Sequence, residues 1–351
     1  MKNIKSNNFD GLRLLGALFV LVSHQFALTG RPEPVFFGAN LGTIGVFIFF
    51  SISGYLVSIS WSRDQNLFRF FAKRFLRIWP ALAASLVGCM AFVIIFMVPR
   101  EQYHLLPNMI IGYLPNFVFM WRDNKFFPNN PNSYLNGSLW TIPLEVQCYV
   151  AVAIIGFVAR DKFRYVVLAM TGLFMGLYLA YAWPDNAFGL YKAFQPNDWF
   201  NNPIIFLVGS LIGAYTLLQK EVTVLALALI GLMAGFFNFP SLSWVLILTP
   251  IIIFVGNKSW PILKDGGKFG DLSYGVYLWA WPVQQIGVAV FGRETPYLYL
   301  LPMTLIIVFM LAFCSWHLIE KHCLKLKPRV ASKDEFRLEM KQPVNETATV
   351  S

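Results

Sequence analysis

The sequence predicts an all-α polytopic membrane protein of about ten transmembrane helices with both termini cytoplasmic. Three observations predict it. The 351 residues are 57% hydrophobic and 13% charged, with a mean hydropathy of +0.56, a balance outside the range of soluble domains. Apolar runs approaching the ~20 residues that a helix needs to cross a bilayer recur along the whole chain. The connections between the runs alternate between Lys/Arg-rich and Lys/Arg-poor, which turns the termini towards the cytoplasm.

The runs lie near 10–29, 41–61, 79–98, 142–159, 165–183, 202–218, 222–237, 242–256, 272–291 and 298–319, and the sixth to eighth are short and closely spaced. On the side opposite the termini the basic residues are Arg31, Arg100, Arg122, Lys125, Lys192 and Arg293. The terminal side holds Lys2, Lys5, the basic residues of 63–77 and most of the remainder. The net charge of +10 is therefore read as topology, and nucleic-acid binding loses its main support. Cys89, Cys148, Cys314 and Cys323 form no C-x-x-C, so neither a disulfide framework nor a metal site is indicated. Residues 1–322 are expected to form one membrane domain, and 323–351 a flexible polar tail.

The first run, FDGLRLLGALFVLVSHQFALT at 9–29, carries Arg13 near its start and His24 eleven positions later, ~16 Å along a helix. Lys2 and Lys5 followed by an apolar core resemble a signal peptide, but nine further runs and the lack of a small-x-small cleavage site favour a retained span. An ionisable side chain in lipid is costly and normally faces a bundle interior or a wet path. Asp10 and Arg13 stand at i, i+3, as an ion pair or as part of a ligand site, and Asp10 is also placed to cap the helix. The second run contains FFSISGYL at 49–56, where Ser53 and its small neighbours leave room for a substrate arm or for another helix. The connection RDQNLFRFFAKRFLRIWP at 63–80 adds Arg74 and Arg77 among its five basic residues. Arginine forks suit phosphate oxygens, although anionic lipid or topology alone explains the charge equally well.

The long connection 99–141, rich in Pro, Asn and aromatics, is a candidate acceptor-binding lid. SLWTIPLE then opens the fourth run, with Trp140 at its edge and Glu145 about four residues in. Counted from the outer surface, Glu145 and His24 fall at matching depth. A carboxylate that orients an imidazole leaves the second ring nitrogen free to take a proton from a hydroxyl, and a purely structural His–Glu pair has the same spacing. Gly172/Gly176, Gly209/Gly213 and Gly231/Gly235 have the spacing of close helix contacts. SYGVYLWAWP at 273–282 carries Tyr277, and SWHLIEKH at 315–322 carries His317 and Glu320, which suit capping or an interfacial position. No metalloprotease, P-loop or nucleophile-elbow motif is present.

FDGLRLLGALFVLVSH, GVFIFFSISGYL, FAKRFLRIWP, SLWTIPLEVQCYV, SYGVYLWAWP and WHLIEK, in this order, resemble the acyltransferase-3 family of integral membrane acyltransferases. The likeness covers about 9–322. It implies about ten membrane helices in the bacterial cytoplasmic (inner) membrane and transfer of an acyl group, usually acetyl from cytoplasmic acetyl-CoA, to hydroxyls of surface glycans such as lipopolysaccharide O-antigen or exopolysaccharide. Carried over by residue, it implies His24 and Glu145 as catalytic. Arg13, Arg74, Arg77 and Ser53 would serve the acyl-CoA donor, and Asp10, Trp140, Tyr277 and Glu320 would support the site. The chain departs from the family pattern at Ala280, where relatives often have histidine.

The expected partners are acyl-CoA as a substrate, with no permanently bound cofactor, a glycan or lipid-linked glycan, and membrane lipids. No long soluble segment follows the last run, so the esterase-like domain fused in some relatives is expected to be absent. Three alternatives stand beside direct acetyl transfer: a transient acetyl-histidine, a different acyl group or acceptor, and a transporter or flippase using the same buried residues. The lack of an inverted repeat disfavours transport.

Overall fold

The computed structural model describes residues 7–98, 100–122, 125–182, 198–237 and 239–328. The tail beyond 328, Lys2, Lys5 and Lys192 lie outside the described residues. The described chain is all-α apart from a two-stranded hairpin. Its long helices are α1 (Phe9–Leu28), α2 (Leu41–Arg63) and α3 (Leu67–Phe92). After a short α4 (Leu106–Tyr113) come α5 (Thr141–Ala159), α6 (Phe163–Ala182), α7 (Asp198–Ala214), α8 (Glu221–Phe236) and α9 (Pro240–Gly256). A single turn, α10 (Pro261–Lys264), precedes α11 (Ser273–Phe291), α12 (Tyr297–Ser315) and a terminal α13 (Lys321–Lys325).

A helix stands at each of the ten apolar runs. Five helical stretches are long and apolar enough to cross a membrane, Phe9–Leu28, Leu41–Arg63, Leu67–Met97, Gly137–Ala180 and Tyr297–Lys325. Pro240–Gly256 with Pro261–Gly267, bent by 75°, makes a sixth if the pair is one span. The chain is thus an all-α integral membrane protein.

Local chemistry explains the boundaries. Asn40 caps α2 by accepting from the Thr43 N–H at 2.7 Å, and Asn66 caps α3 by accepting from the Arg69 N–H at 2.9 Å. The cap of α1 falls on Asn8 rather than Asp10, because the buried Asn8 amide ties the helix start to Val255 O at 2.8 Å and to the Trp260 N–H at 2.9 Å. Between α1 and α2 the chain makes a hairpin, β1 (Val35–Phe36) against β2 (Ala39–Asn40). Phe37 and Gly38 turn it at φ of 45° and 76°, the left-handed pair of a tight hairpin turn. The basic segment read as a loop is largely the start of α3, so Lys73, Arg74 and Arg77 ride on one helix instead of a flexible connection.

Helices α1, α2 and α11 form the centre, with α7 and α9 packed on α2, and α12 and α3 on α11. Without a solvent-driven hydrophobic term between helices in lipid, close backbone approach carries the packing. Gly54 of α2 lies against the Phe206 carbonyl of α7; Gly209 lies against the Ser51 carbonyl and Gly213, four residues on, against the Tyr55 carbonyl, so α2 and α7 run parallel. Gly231 and Gly235 abut α9. Gly172 and Gly176 have the same spacing, but a side chain there would meet no atom of the described residues within 4 Å, so the expected close contact is absent among them.

Candidate active site

Two cavities meet inside this bundle. The first, about 310 Å³, is lined by charged and polar side chains. Arg13 of α1, Lys73, Arg74 and Arg77 of α3, Asp271 and Lys327 supply the charges, with Ser53, Glu145, Tyr149 and Tyr274 beside them. Arg77 is committed to a close ion pair with Asp271, and Arg13 reaches Asp271 at 3.7 Å and Asp10 at 3.3 Å. Burial alone would push the Asp271 carboxyl up, but Arg77, Arg13 and the Ser273 hydroxyl together hold it down at about 2. Lys73 pairs with Asp64 at 2.8 Å. The Asp64 carboxyl is lowered to about 2, chiefly by hydrogen bonds from Arg69.

Arg74 differs from its neighbours. It forms no ion pair among the described residues, its guanidinium sits 5.6 Å from the Phe70 ring centre and 5.7 Å from that of Tyr149, and its buried Nε has no hydrogen-bond partner. Lys327 is the other uncommitted cation on this wall, its ammonium pushed down to about 8 by burial and by the nearby arginines. Within the expected tail, residues 323–325 complete α13, and Lys327, two residues beyond its end, lines the cavity.

The second cavity, about 270 Å³, contains His24. It is lined also by Glu33, Asn40, Thr43, Asn132, Trp140, Asn202 and Trp281. The His24 ring stands edge-on to Trp281 at 4.7 Å between centres, and its buried Nδ1 has no partner among the described residues. Ser23 donates a short hydrogen bond to Glu33, and Asn40 Nδ2 stands 3.5 Å from the other carboxylate oxygen. The 99–141 segment closes this side by docking on α11. Trp281 Nε1 donates to Tyr134 O at 3.1 Å, Asn136 Nδ2 to Leu278 O at 3.0 Å, and Asn130 Nδ2 to Gln285 Oε1 at 2.7 Å.

Val46 and Tyr277 line both cavities. Tyr277 is held between them, its hydroxyl 2.6 Å from Thr141 Oγ1 and donating to Ser138 O at 2.9 Å.

The expected facing of His24 and Glu145 is corrected by this arrangement. Glu145 accepts from Ser53 Oγ at 2.8 Å and closely from the Tyr149 hydroxyl, in the basic cavity. Ser53 lies ten positions along α2 from Thr43, which faces the His24 cavity, a separation of ~15 Å. The sequence count took α5 to begin at the surface. In the fold it begins beneath the buried Gly137, Ser138 and Leu139, so Glu145 lies deeper than its count from the first apolar residue. The carboxylate that shares the His24 cavity is Glu33, which the sequence reading missed. Its one signal is an acidic residue between two prolines directly after the histidine-bearing helix. Glu320 lines neither cavity. It is buried and accepts from Ser315 Oγ at 2.8 Å, a structural role.

A half-buried imidazole facing one cavity, beside a second cavity with uncommitted cations at its mouth, suits proton abstraction from one substrate and retention of an anionic one. Residues 6–319 match the family described as acyltransferase domain. Over 336 residues the chain is 32% identical to the O-acetyl transferase of Shigella phage Sf6, covering 91% of this chain and 96% of that protein. It is 26% identical to nodulation protein 10 of Rhizobium leguminosarum bv. viciae, covering 93% and 95%. It is 24% identical to the peptidoglycan O-acetyltransferase OatA of Listeria monocytogenes, covering 89% of this chain and 55% of that protein. No solved structure matches the chain.

Proposed function

The chain belongs to the acyltransferase domain family of membrane acyltransferases, and from that premise we propose that it carries an acetyl group from cytoplasmic acetyl-CoA to a hydroxyl of a cell-surface glycan, such as lipopolysaccharide O-antigen or exopolysaccharide. In this reading α1–α3, α5–α9, α11 and α12 are ten spans of the bacterial inner membrane, with both termini cytoplasmic, supported by the distribution of Lys and Arg.

The observation that carries the proposal is the pair of cavities sharing Val46 and Tyr277. One opens among Arg13, Arg74 and Lys327 on the Lys/Arg-rich side and the other holds His24. Donor phosphates engage Arg74 and Lys327, the cavity cations that form no ion pair among the described residues, while Arg13 and Arg77 hold the cavity mouth through Asp271. The pantetheine arm runs past Ser53 and Glu145 to the shared wall.

His24 then takes the proton of the acceptor hydroxyl as its oxygen attacks the thioester carbonyl. The C–O bond forms, the C–S bond breaks, and the imidazolium returns the proton to the departing thiolate. Glu33, across the same cavity, favours the transient positive charge on the ring.

Replacing His24 with alanine tests the reading. The variant is expected to insert and bind acetyl-CoA normally and to lose about 10²–10⁴-fold in acetyl transfer, read by mass analysis of the surface glycan and by radiolabel transfer in proteoliposomes. A normally inserted His24→Ala protein that still acetylates its glycan overturns it. Movement of unmodified substrate without consumption of acetyl-CoA would identify a transporter instead.

A further inference from the structure

Asn202 is anomalous for its position. It sits in the second turn of α7, where asparagine is a poor helix former, and it is completely buried. Neither its Nδ2 nor its Oδ1 has a hydrogen-bond partner among the described residues. Leaving a buried amide unpaired is costly, and each such group in a folded protein calls for a reason.

The cavity it lines supplies one. The other two amides there are engaged, since Asn40 Oδ1 caps α2 and Asn132 Oδ1 accepts from the Tyr134 N–H at 3.0 Å. Asn202 therefore offers a free donor and a free acceptor side by side on one planar group, in the cavity that also holds His24. Trp140, Tyr277 and Trp281 add aromatic surface, Glu33 adds negative charge, and no Lys or Arg among the described residues lines the space.

A paired donor and acceptor fits two neighbouring hydroxyls, one receiving and one giving a hydrogen bond. Aromatic walls suit the C–H face of a sugar ring, and a carboxylate without a cation repels an anionic acceptor. At about 270 Å³ the space is slightly smaller than the ~300–1,000 Å³ of sites for drug-sized ligands, which suits one ring.

We propose that Asn202 is the acceptor-reading residue of this enzyme, gripping two adjacent hydroxyls of a neutral sugar ring and so deciding which hydroxyl meets His24. The inference rests on the acyl-transfer reading above and adds to it the class of acceptor and the residue that selects it.

The test uses the full-length protein in proteoliposomes, labelled acetyl-CoA, a panel of neutral methyl hexopyranosides, their monodeoxy derivatives and a methyl hexuronoside. The wild type is expected to acetylate at least one neutral glycoside and to reject the hexuronoside. Asn202→Ala is expected to raise the KM for that glycoside about tenfold while leaving acetyl-CoA affinity in place, which also shows that it is folded. Removing the hydroxyl next to the acetylated position should cost the wild type a similar factor and cost Asn202→Ala little more, since both changes delete the same contact. If Asn202→Ala loses acetyl-CoA binding, the nearly isosteric Asn202→Asp takes its place, with the same rise in KM expected from loss of the N–H donor.

An unchanged acceptor KM, a deoxy penalty equally large in wild type and variant, or ready use of the hexuronoside overturns the inference and leaves acyl transfer standing. Wild-type protein that binds acetyl-CoA but transfers to none of the glycosides overturns it too. Failure of the wild type to bind acetyl-CoA overturns the reading beneath it.

Discussion

Arg74 and Arg77 stand three residues apart on α3, yet their charges are held in different ways. Arg77 is locked to the buried Asp271, so Arg77→Ala leaves a buried carboxylate short of its main partner and is expected to cost about 3–5 kcal/mol, read as a lower melting temperature in detergent. Arg74 has aromatic faces and no ion pair among the described residues, so Arg74→Ala is expected to spare the melting temperature and weaken acetyl-CoA binding about tenfold. Equal effects of the two changes on both measurements would remove this division of labour. The sequence shows two arginines at motif spacing and cannot separate them, because the partner of Arg77 lies 194 positions away. His24 and Arg13 were legible for the opposite reason, since an ionisable residue in an apolar run is anomalous wherever its neighbours come from. Glu33 and Asn202 escaped notice because a short loop carboxylate and a helix-start asparagine are ordinary until the fold brings them to one cavity.

At the scale of elements, the apolar runs located the helices because length and hydropathy are properties of each segment alone. Contact between segments is not such a property, and the glycines show it. Gly54 and Gly209 press on backbone carbonyls across the α2–α7 seam, whereas Gly172 and Gly176 of α6 meet nothing nearby among the described residues. Gly54→Leu and Gly209→Leu are therefore expected to force α2 and α7 apart, at about 1–3 kcal/mol or more. Gly172→Leu and Gly176→Leu should change stability by less than about 0.5 kcal/mol. Thermal unfolding of the four purified variants checks the ranking, and equal losses would contradict it. The misplaced depth of Glu145 is an error of the same kind, since the 99–141 segment buries the start of α5 and shifts every residue counted from it.

For the whole molecule, two acidic side chains outside the spans tie helices together at the basic face, Asp271 to α1 and α3, and Asp64 to the first turns of α3. Both titrate at about 2 in the fold, against about 3.9 in an unfolded chain. A carboxyl held below its unfolded value binds fewer protons in the native state. Its contribution is complete above pH ~4 and is lost as pH falls from there towards 2. The melting temperature should accordingly show no change from these groups between pH 7 and 5 and an acid-side fall below about pH 4, shallower in Asp271→Asn. An equally steep acid limb in that variant would show that other groups set it. The overall class and family were legible because composition and ordered motifs survive without coordinates, while the two-cavity arrangement depends on nine or more segments meeting and has no signature in any one of them.

The wall made by Val46 and Tyr277 has an electrical consequence. It parts the two cavities, and each unit charge carried across a membrane against its voltage is worth ~2.3 kcal/mol per 100 mV. In the proposed reaction the acetyl group passes from sulfur to the acceptor oxygen while the hydroxyl proton, carried by His24, returns to sulfur, so acetyl is exchanged for hydrogen and no net charge crosses. Acetyl transfer by this route is then electroneutral, and its equilibrium does not depend on the membrane voltage.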